Sequence, residues 1–241
     1  MECIKWPERQ PFRCSHRLAW HAAANGSKIA VVNVPEANVA QETYLSPYLR
    51  AVERYAGGFG SLLWASEKSQ RQRFDALCRV HELNGKLLLD AGCGRADLLG
   101  YLLERSVRPA DYVGLEALDA LADQAESRHY PRSRILRGDF VRDPLKLFVG
   151  AEVIVFSGSL NTLPPDAFYA TLRHAFEAAG EAVVFNFLCS PALAGQDYLV
   201  WHHGEKVLAF AQTLGGDVRA LCDYLPGDCT VAIMRQNDGS E

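Results

Sequence analysis

The chain has 241 residues, a net charge of −4, and 49% hydrophobic and 22% charged side chains. This is the balance of a globular protein with a buried core, long enough for one α/β domain or two small ones. It argues against a global electrostatic pull towards nucleic acid or an anionic membrane.

Smaller features point the same way. The basic cluster "RSRILR" from Arg132 has acidic residues on either side and reads as a solvated face. Seven cysteines (Cys3, Cys14, Cys78, Cys93, Cys189, Cys222 and Cys229) form no tight framework, and the odd count suits reduced thiols. No apolar run approaches the roughly 20 residues that cross a bilayer. The opening "MECIKWPERQPFRC" carries charges and prolines where a signal peptide needs an apolar stretch. The expectation is a soluble, cytoplasmic chain.

Residues 1 to about 40 are irregular, broken by Pro7, Pro11 and Pro35, with one short apolar run, "KIAVVNV", of strand type. "CSHRLAWH" gathers Cys14, His16 and His21, but no C-x-x-C pairs them, so no metal site is expected. From Tyr44 to about Glu82 the pattern is helical, interrupted at "AGGFG". The chain then alternates. Strand-type runs occur at "KLLLDA", "DYVGLEA", "SRILRGDF", "AEVIVFSG" and "EAVVFNFL". Helical stretches lie at "ADLLGYLLERS", "LDALADQAESR", "PDAFYATLRHAFEAAG" and "EKVLAFAQTLG". "DVRALCDYL" and "DCTVAIMR" close the chain as two strands joined by a short turn.

Strands alternating with helices imply a parallel sheet covered on both faces, and the short final connection implies an antiparallel edge pair. The expected fold is therefore a doubly wound, mostly parallel seven-stranded α/β sheet with helices on both faces and an N-terminal helical extension.

In such sheets ligands bind beyond the carboxyl ends of the strands, where strand order reverses. "DAGCG" occupies the turn after the first strand, where glycines let the backbone turn sharply and approach a ligand. A dinucleotide fingerprint from Gly92 needs its third glycine at position 97, which is Asp97, and an acid there opposes a pyrophosphate at the helix N-terminus. No Walker loop is present. Asp90, just before the glycines, suits a cationic ligand without phosphate; it also suits a plain role at the helix N-terminus.

With these residues the sequence resembles the class I SAM-dependent methyltransferases, in particular a bacterial small-molecule-type subgroup, over roughly residues 44 to 236. Their motif runs acid-x-Gly-x-Gly-x-Gly; Asp90, Ala91, Gly92 and Gly94 match, and Ala96 replaces the last glycine. The resemblance implies S-adenosyl-L-methionine (SAM) as cofactor and S-adenosyl-L-homocysteine (SAH) as product. It implies a ribose-binding acid at Glu116, followed by Ala117, 26 residues after Asp90. It also implies an adenine contact at Asp139 with Phe140 packing on the base, and a methyl-lining segment "FSGSLNTL" holding Ser157, Gly158 and Asn161. "LLWASEKSQRQRF" resembles the cover over the cofactor, with Trp64, Gln70 and Arg73 carried over and Arg73 meeting the methionine carboxylate. "CDYLPGDCTVAIMR" resembles the closing strand pair, with Cys229 where an aromatic is more usual.

On this reading residues 1–43 are an extension and residues 44–241 the methyltransferase domain, with a helical lid over 44–84 and a Rossmann-like core over 85–241. The acceptor is expected to be a small molecule: the Asn/Asp-Pro-Pro-Tyr/Phe signature of amino-group methylation on bases or glutamine is replaced by "SGSLNTLPP", and the acidic net charge disfavours RNA or DNA. Tyr44, Tyr48, Asn161, His202 and Tyr224 are the candidate acceptor contacts, and no catalytic base is assigned. No metal, nucleic acid or membrane partner is expected. The alternative is a methyltransferase-like fold that binds SAM or SAH, or a partner, without catalysis.

Overall fold

The structure, a computed structural model, describes residues 43–192 and 194–236. Residues 41–241 form one compact unit. "KIAVVNV" and the group of Cys14, His16 and His21 lie outside the described residues.

This unit opens with helices. Pro47 in the first turn pre-sets α1 (Ser46–Tyr55), and Ala56, at φ 50°, ends it in the left-handed conformation. A 3-10 turn, Phe59–Leu62, follows. α2 (Glu67–Val80) starts on a capping box, in which Ser66 Oγ accepts from the Ser69 amide at 3.1 Å and Ser69 Oγ accepts from the Ser66 amide at 3.2 Å. The interruption expected at "AGGFG" is thus two helices joined by a turn.

Seven strands then form one sheet: β1 (Leu87–Ala91), β2 (Asp111–Glu116), β3 (Ser133–Arg137), β4 (Val153–Phe156), β5 (Ala182–Leu188), β6 (Asp217–Leu221) and β7 (Asp228–Met234). Their order is β3-β2-β1-β4-β5-β7-β6. The first five are parallel; β7 pairs antiparallel with both β5 and β6. β6 stops at Leu221, four residues before the expected end, and "CDYLPG" forms a loop. Helices α3 (Asp97–Glu104), α4 (Asp119–Ser127), α5 (Pro165–Ala178) and α6 (Gly204–Thr213) complete the unit.

The central strands are apolar on both sides because each face is covered. On one face Leu89, Ile154, Val183 and Phe185 pack with Phe168 and Leu172 of α5 and Val207 of α6. On the other, Leu88, Tyr112, Val155 and Val184 pack with Phe74 and Leu77 of α2 and Leu98 and Leu102 of α3. The order reverses between β1 and β4, so the turns leaving those two strands border a crevice at their carboxyl ends.

One expectation is corrected. Cys222 and Cys229, flanking the β6–β7 loop with Cα atoms 4.3 Å apart, are joined by a disulfide, whereas Cys78, Cys93 and Cys189 are free. The pairing depends on the register of β6 and β7, which cysteine spacing alone does not fix. Among the described residues, no helix is long and apolar enough to cross a membrane.

Candidate active site

The turn after β1 is fastened to its neighbours. The amides of Gly92 and Cys93 both donate to the Leu115 carbonyl, at 2.7 and 3.1 Å. Ser159 Oγ, from the turn after β4, donates to the Ala91 carbonyl at 2.7 Å. Gly92 has φ 78°, and a Cβ there would lie 2.5 Å from that of Ser159, so glycine serves both the turn and the close approach of two loops. Ala96 takes the same left-handed region, φ 57°, as the residue before α3. Alanine therefore holds here a conformation that glycine takes freely, at a steric cost of about 1–2 kcal/mol.

Glu116, at the end of β2, is 6% exposed. Its Oε2 accepts from the Gly94 amide at 2.8 Å and its Oε1 from the Leu118 amide at 2.9 Å. Burial raises its carboxyl above the usual range, and the amide hydrogen bonds oppose the shift. Asp90 accepts from the Tyr112 hydroxyl at 2.6 Å. Burial pushes its carboxyl up to about 7 against that hydrogen bond, with Glu116 and Asp97 adding to the rise.

At the end of β4, the Gly158 amide donates to Asn186 Oδ1 at 2.8 Å. Asn186 is fully buried in β5, and its signal in the sequence was a lone amide inside "EAVVFNFL", which the site reading passed over. Gly158 has φ 76°, and a Cβ on it would lie 2.7 Å from the Trp64 ring. Trp64 is held edge-on to Phe74, with the Arg73 guanidinium 4.9 Å over its ring.

Arg73, on α2, also pairs with Asp228 at the start of β7 through Nε and Nη2. The Tyr224 hydroxyl donates to the other oxygen of Asp228 and lies 2.8 Å from Thr230 Oγ1. Burial raises the Asp228 carboxyl while Arg73 draws it back. This buried group ties α2 to the sheet beside the crevice.

These elements enclose a cavity of about 590 Å³, within the range of roughly 300–1,000 Å³ that accommodates small ligands. Of the sequence-derived cofactor residues, its wall includes Asp90, Gly92, Gly94, Glu116, Ala117, Phe140, Ser157, Gly158, Trp64 and Arg73, and Gln70 with them. Ala91 and Asp139 stand behind the wall. Asp139 Oδ1 accepts from the Tyr44 hydroxyl and from the amides of Val141 and Arg142 at 2.9 and 3.1 Å. Tyr44 and Phe140 form the wall in front of it.

Among the acceptor candidates, Tyr44, Tyr48 and Asn161 line the cavity. Tyr224 does not; it belongs to the Asp228 group, and its neighbour Leu225 takes the place on the wall. His202 does not line it either. Its ring stacks on Phe168 with centroids 3.9 Å apart, and burial lowers its pKa to about 4. Sequence reasoning missed the residues 195–199, where Gln196, Tyr198 and Leu199 close one side. The Val200 amide donates to the Asn161 carbonyl at 2.7 Å, which sets that segment against the end of β4. Among the described residues no group of three or more His, Cys, Asp or Glu side chains is placed to hold a metal.

The strand order, the glycine turn after β1, the acid ending β2 and the antiparallel β7 together define the class I, Rossmann-like SAM-dependent methyltransferase fold. No protein-family model matches the chain, and no curated protein matches it in sequence. Solved structures do. Magnesium protoporphyrin IX methyltransferase (ChlM) from Synechocystis PCC 6803 with bound SAM is similar at a TM-score of 0.59 and 14% identity, over 83% of this chain and 100% of that one. The DhpI–SAH complex gives 0.58 at 16% identity, over 80% and 96%. The mitomycin 7-O-methyltransferase MmcR gives 0.61 at 16% identity, over 78% of this chain and 60% of that one.

Proposed function

We propose that this protein is a SAM-dependent methyltransferase acting on a small-molecule acceptor. The observation that carries the reading is Glu116. A carboxylate has roughly four lone-pair positions; two backbone amides take one each, and the side chain still lines the cavity. Capacity remains for a pair of ligand hydroxyls, such as those of a ribose. The residues fit the rest of the cofactor too. Gly92 and Gly94 bring backbone rather than side chains to the cavity, Tyr44 and Phe140 offer ring faces for a base, and Arg73, whose Nε and Nη2 hold Asp228, would turn Nη1 to the methionine carboxylate.

SAM supplies a methyl carbon on a sulfonium: the acceptor's lone pair bonds to that carbon, the carbon–sulfur pair returns to sulfur as SAH forms, and the acceptor's proton leaves to solvent. The chain's own part is alignment and exclusion of water. Trp64, seated on Gly158, and the α1–α2 segment cover the cofactor end. The Ser159 and Asn186 hydrogen bonds fix the turn beside which the methyl would pass.

Calorimetric titration with SAM and SAH, with NAD as control, tests the reading. Micromolar binding of the two sulfur ligands and none of NAD is expected. A folded, monodisperse sample that binds neither sulfur ligand overturns it.

A further inference from the structure

Beyond the cofactor candidates, the cavity wall carries a second set of residues with a distinct chemistry. Charged wall residues among those described are Arg73, Asp90, Asp97 and Glu116. All four already have partners. Arg73 is paired with Asp228, and Asp97 accepts from Arg95 at 3.2 Å and Arg128 at 2.9 Å. Asp90 and Glu116 hold Tyr112 and two backbone amides.

Much of the remaining wall is tyrosine and leucine, with Gln196 among them. Tyr48 of α1, Tyr55 at its end and Tyr198 of the 194–200 segment face the cavity with Leu63, Leu199 and Leu225. Burial holds the Tyr48 and Tyr198 hydroxyls above their ordinary pKa, so both rings are neutral near pH 7.

Two polar atoms on the β4 side lack partners: Ser157 Oγ and Asn161 Oδ1 are both buried without a hydrogen bond. Asn161 is 7% exposed and lines the cavity. An unpaired buried acceptor costs about 1–3 kcal/mol, which a ligand donor placed there recovers. With the cofactor's carboxylate taking what Arg73 has left, a carboxylate or ammonium entering among the tyrosines would shed water and find no free counter-charge.

We propose that this side of the cavity takes an uncharged, flat, largely apolar acceptor, its ring against Tyr48, Tyr55 and Tyr198 and its hydroxyl hydrogen-bonded to Asn161 and Ser157. The inference rests on the methyltransferase reading. Neutral rings stack on tyrosine faces, and a few placed polar groups fix orientation. The Asn161 amide is thereby the specificity-determining group, and Tyr198 supplies a face rather than a hydrogen bond.

The experiment is calorimetry on the SAH-saturated protein with three probes sharing one ring: 2-naphthol, 2-naphthoate and the ammonium of 2-(aminomethyl)naphthalene. 2-Naphthol is expected to bind at least tenfold more tightly than either charged probe. Tyr198→Phe should keep that affinity; Tyr198→Ala and Asn161→Ala should each lower it about tenfold. SAH binding with equal or tighter binding of a charged probe, or with no binding of 2-naphthol, overturns the acceptor class and leaves the methyltransferase reading standing. Absence of SAH binding overturns both.

Discussion

The backbone amide of Gly94 donates to Glu116 Oε2 across 2.8 Å, so the glycine turn after β1 is held by the carboxylate that ends β2. The residue expected to bind the ribose is therefore also a brace for the loop that floors the cavity. Stability and binding are coupled at this side chain.

Replacing Glu116 separates poorly into those two roles, and its consequence is definite. In Glu116→Gln one oxygen becomes an NH2 group that faces either the Gly94 or the Leu118 amide, donor against donor. The variant should lose about 1–3 kcal/mol of stability, read as a lower urea midpoint, together with at least tenfold of SAH affinity. Unchanged stability would remove the bracing role.

Trp64 and Gly158 provide a sharper contrast. Gly158 and Gly150 both have positive φ, 76° and 80°, but a Cβ meets the Trp64 ring at 2.7 Å in the first and nothing within 4 Å in the second. Gly150→Ala should cost only the backbone strain, about 1–2 kcal/mol. Gly158→Ala should cost more, because the indole must move, and should shift the tryptophan emission of the folded protein. Equal losses with unchanged emission would mean that Trp64 does not rest on this turn in solution.

The Arg73–Asp228 pair is buried on both sides, with side-chain exposures of 8% and 0%. Arg73→Ala strands a carboxylate in the interior, a change that typically costs about 3–5 kcal/mol. The double variant Arg73→Ala/Asp228→Asn should recover part of that loss, since no charge is left behind. A single variant as stable as wild type would show that the pair contributes nothing to holding α2.

The contrast between these sites shows what the sequence made legible. Asp90, Gly92, Gly94 and Glu116 were readable because strand ends and their turns are marked locally, by an apolar run followed by an acid or a glycine. Asp228, Tyr198 and Asn186 were not, because their importance comes from partners far along the chain. Arg73 meets Asp228 across 155 positions, and Gly158 meets Asn186 across 28. His202 failed for a related reason. Its position before α6 suggested the cavity, but the apolar face of α5 offered Phe168, and stacking there left the ring behind the wall. Ala96 shows the reverse case, a residue that departs from the motif yet takes the left-handed conformation that glycine favours.

Asp90 makes a pH dependence that can be signed in advance. Its carboxyl is 2% exposed and rises on folding from the ordinary value near 4 to about 7, so the native state holds its proton more tightly than the unfolded chain. Between those two values the unfolded chain has released the proton and the native protein has not. Stability should therefore fall as pH rises through the window, with Asp90 contributing at most about 1.4 kcal/mol per unit and its contribution levelling off above the window. Glu116 and Asp228 are shifted in the same direction and add to the slope. Asp90→Asn keeps an oxygen for the Tyr112 hydroxyl but has no proton to lose. It should match wild type near pH 4, exceed it by a few kcal/mol at pH 8, and show a shallower slope between. On the proposed function the same change should weaken SAH binding, because the acid that destabilises the folded protein at high pH lines the cavity, a trade common at functional sites. Urea unfolding of both proteins at pH 4.5, 6 and 8 decides it: parallel stability profiles would mean that Asp90 is ionised in the folded protein throughout.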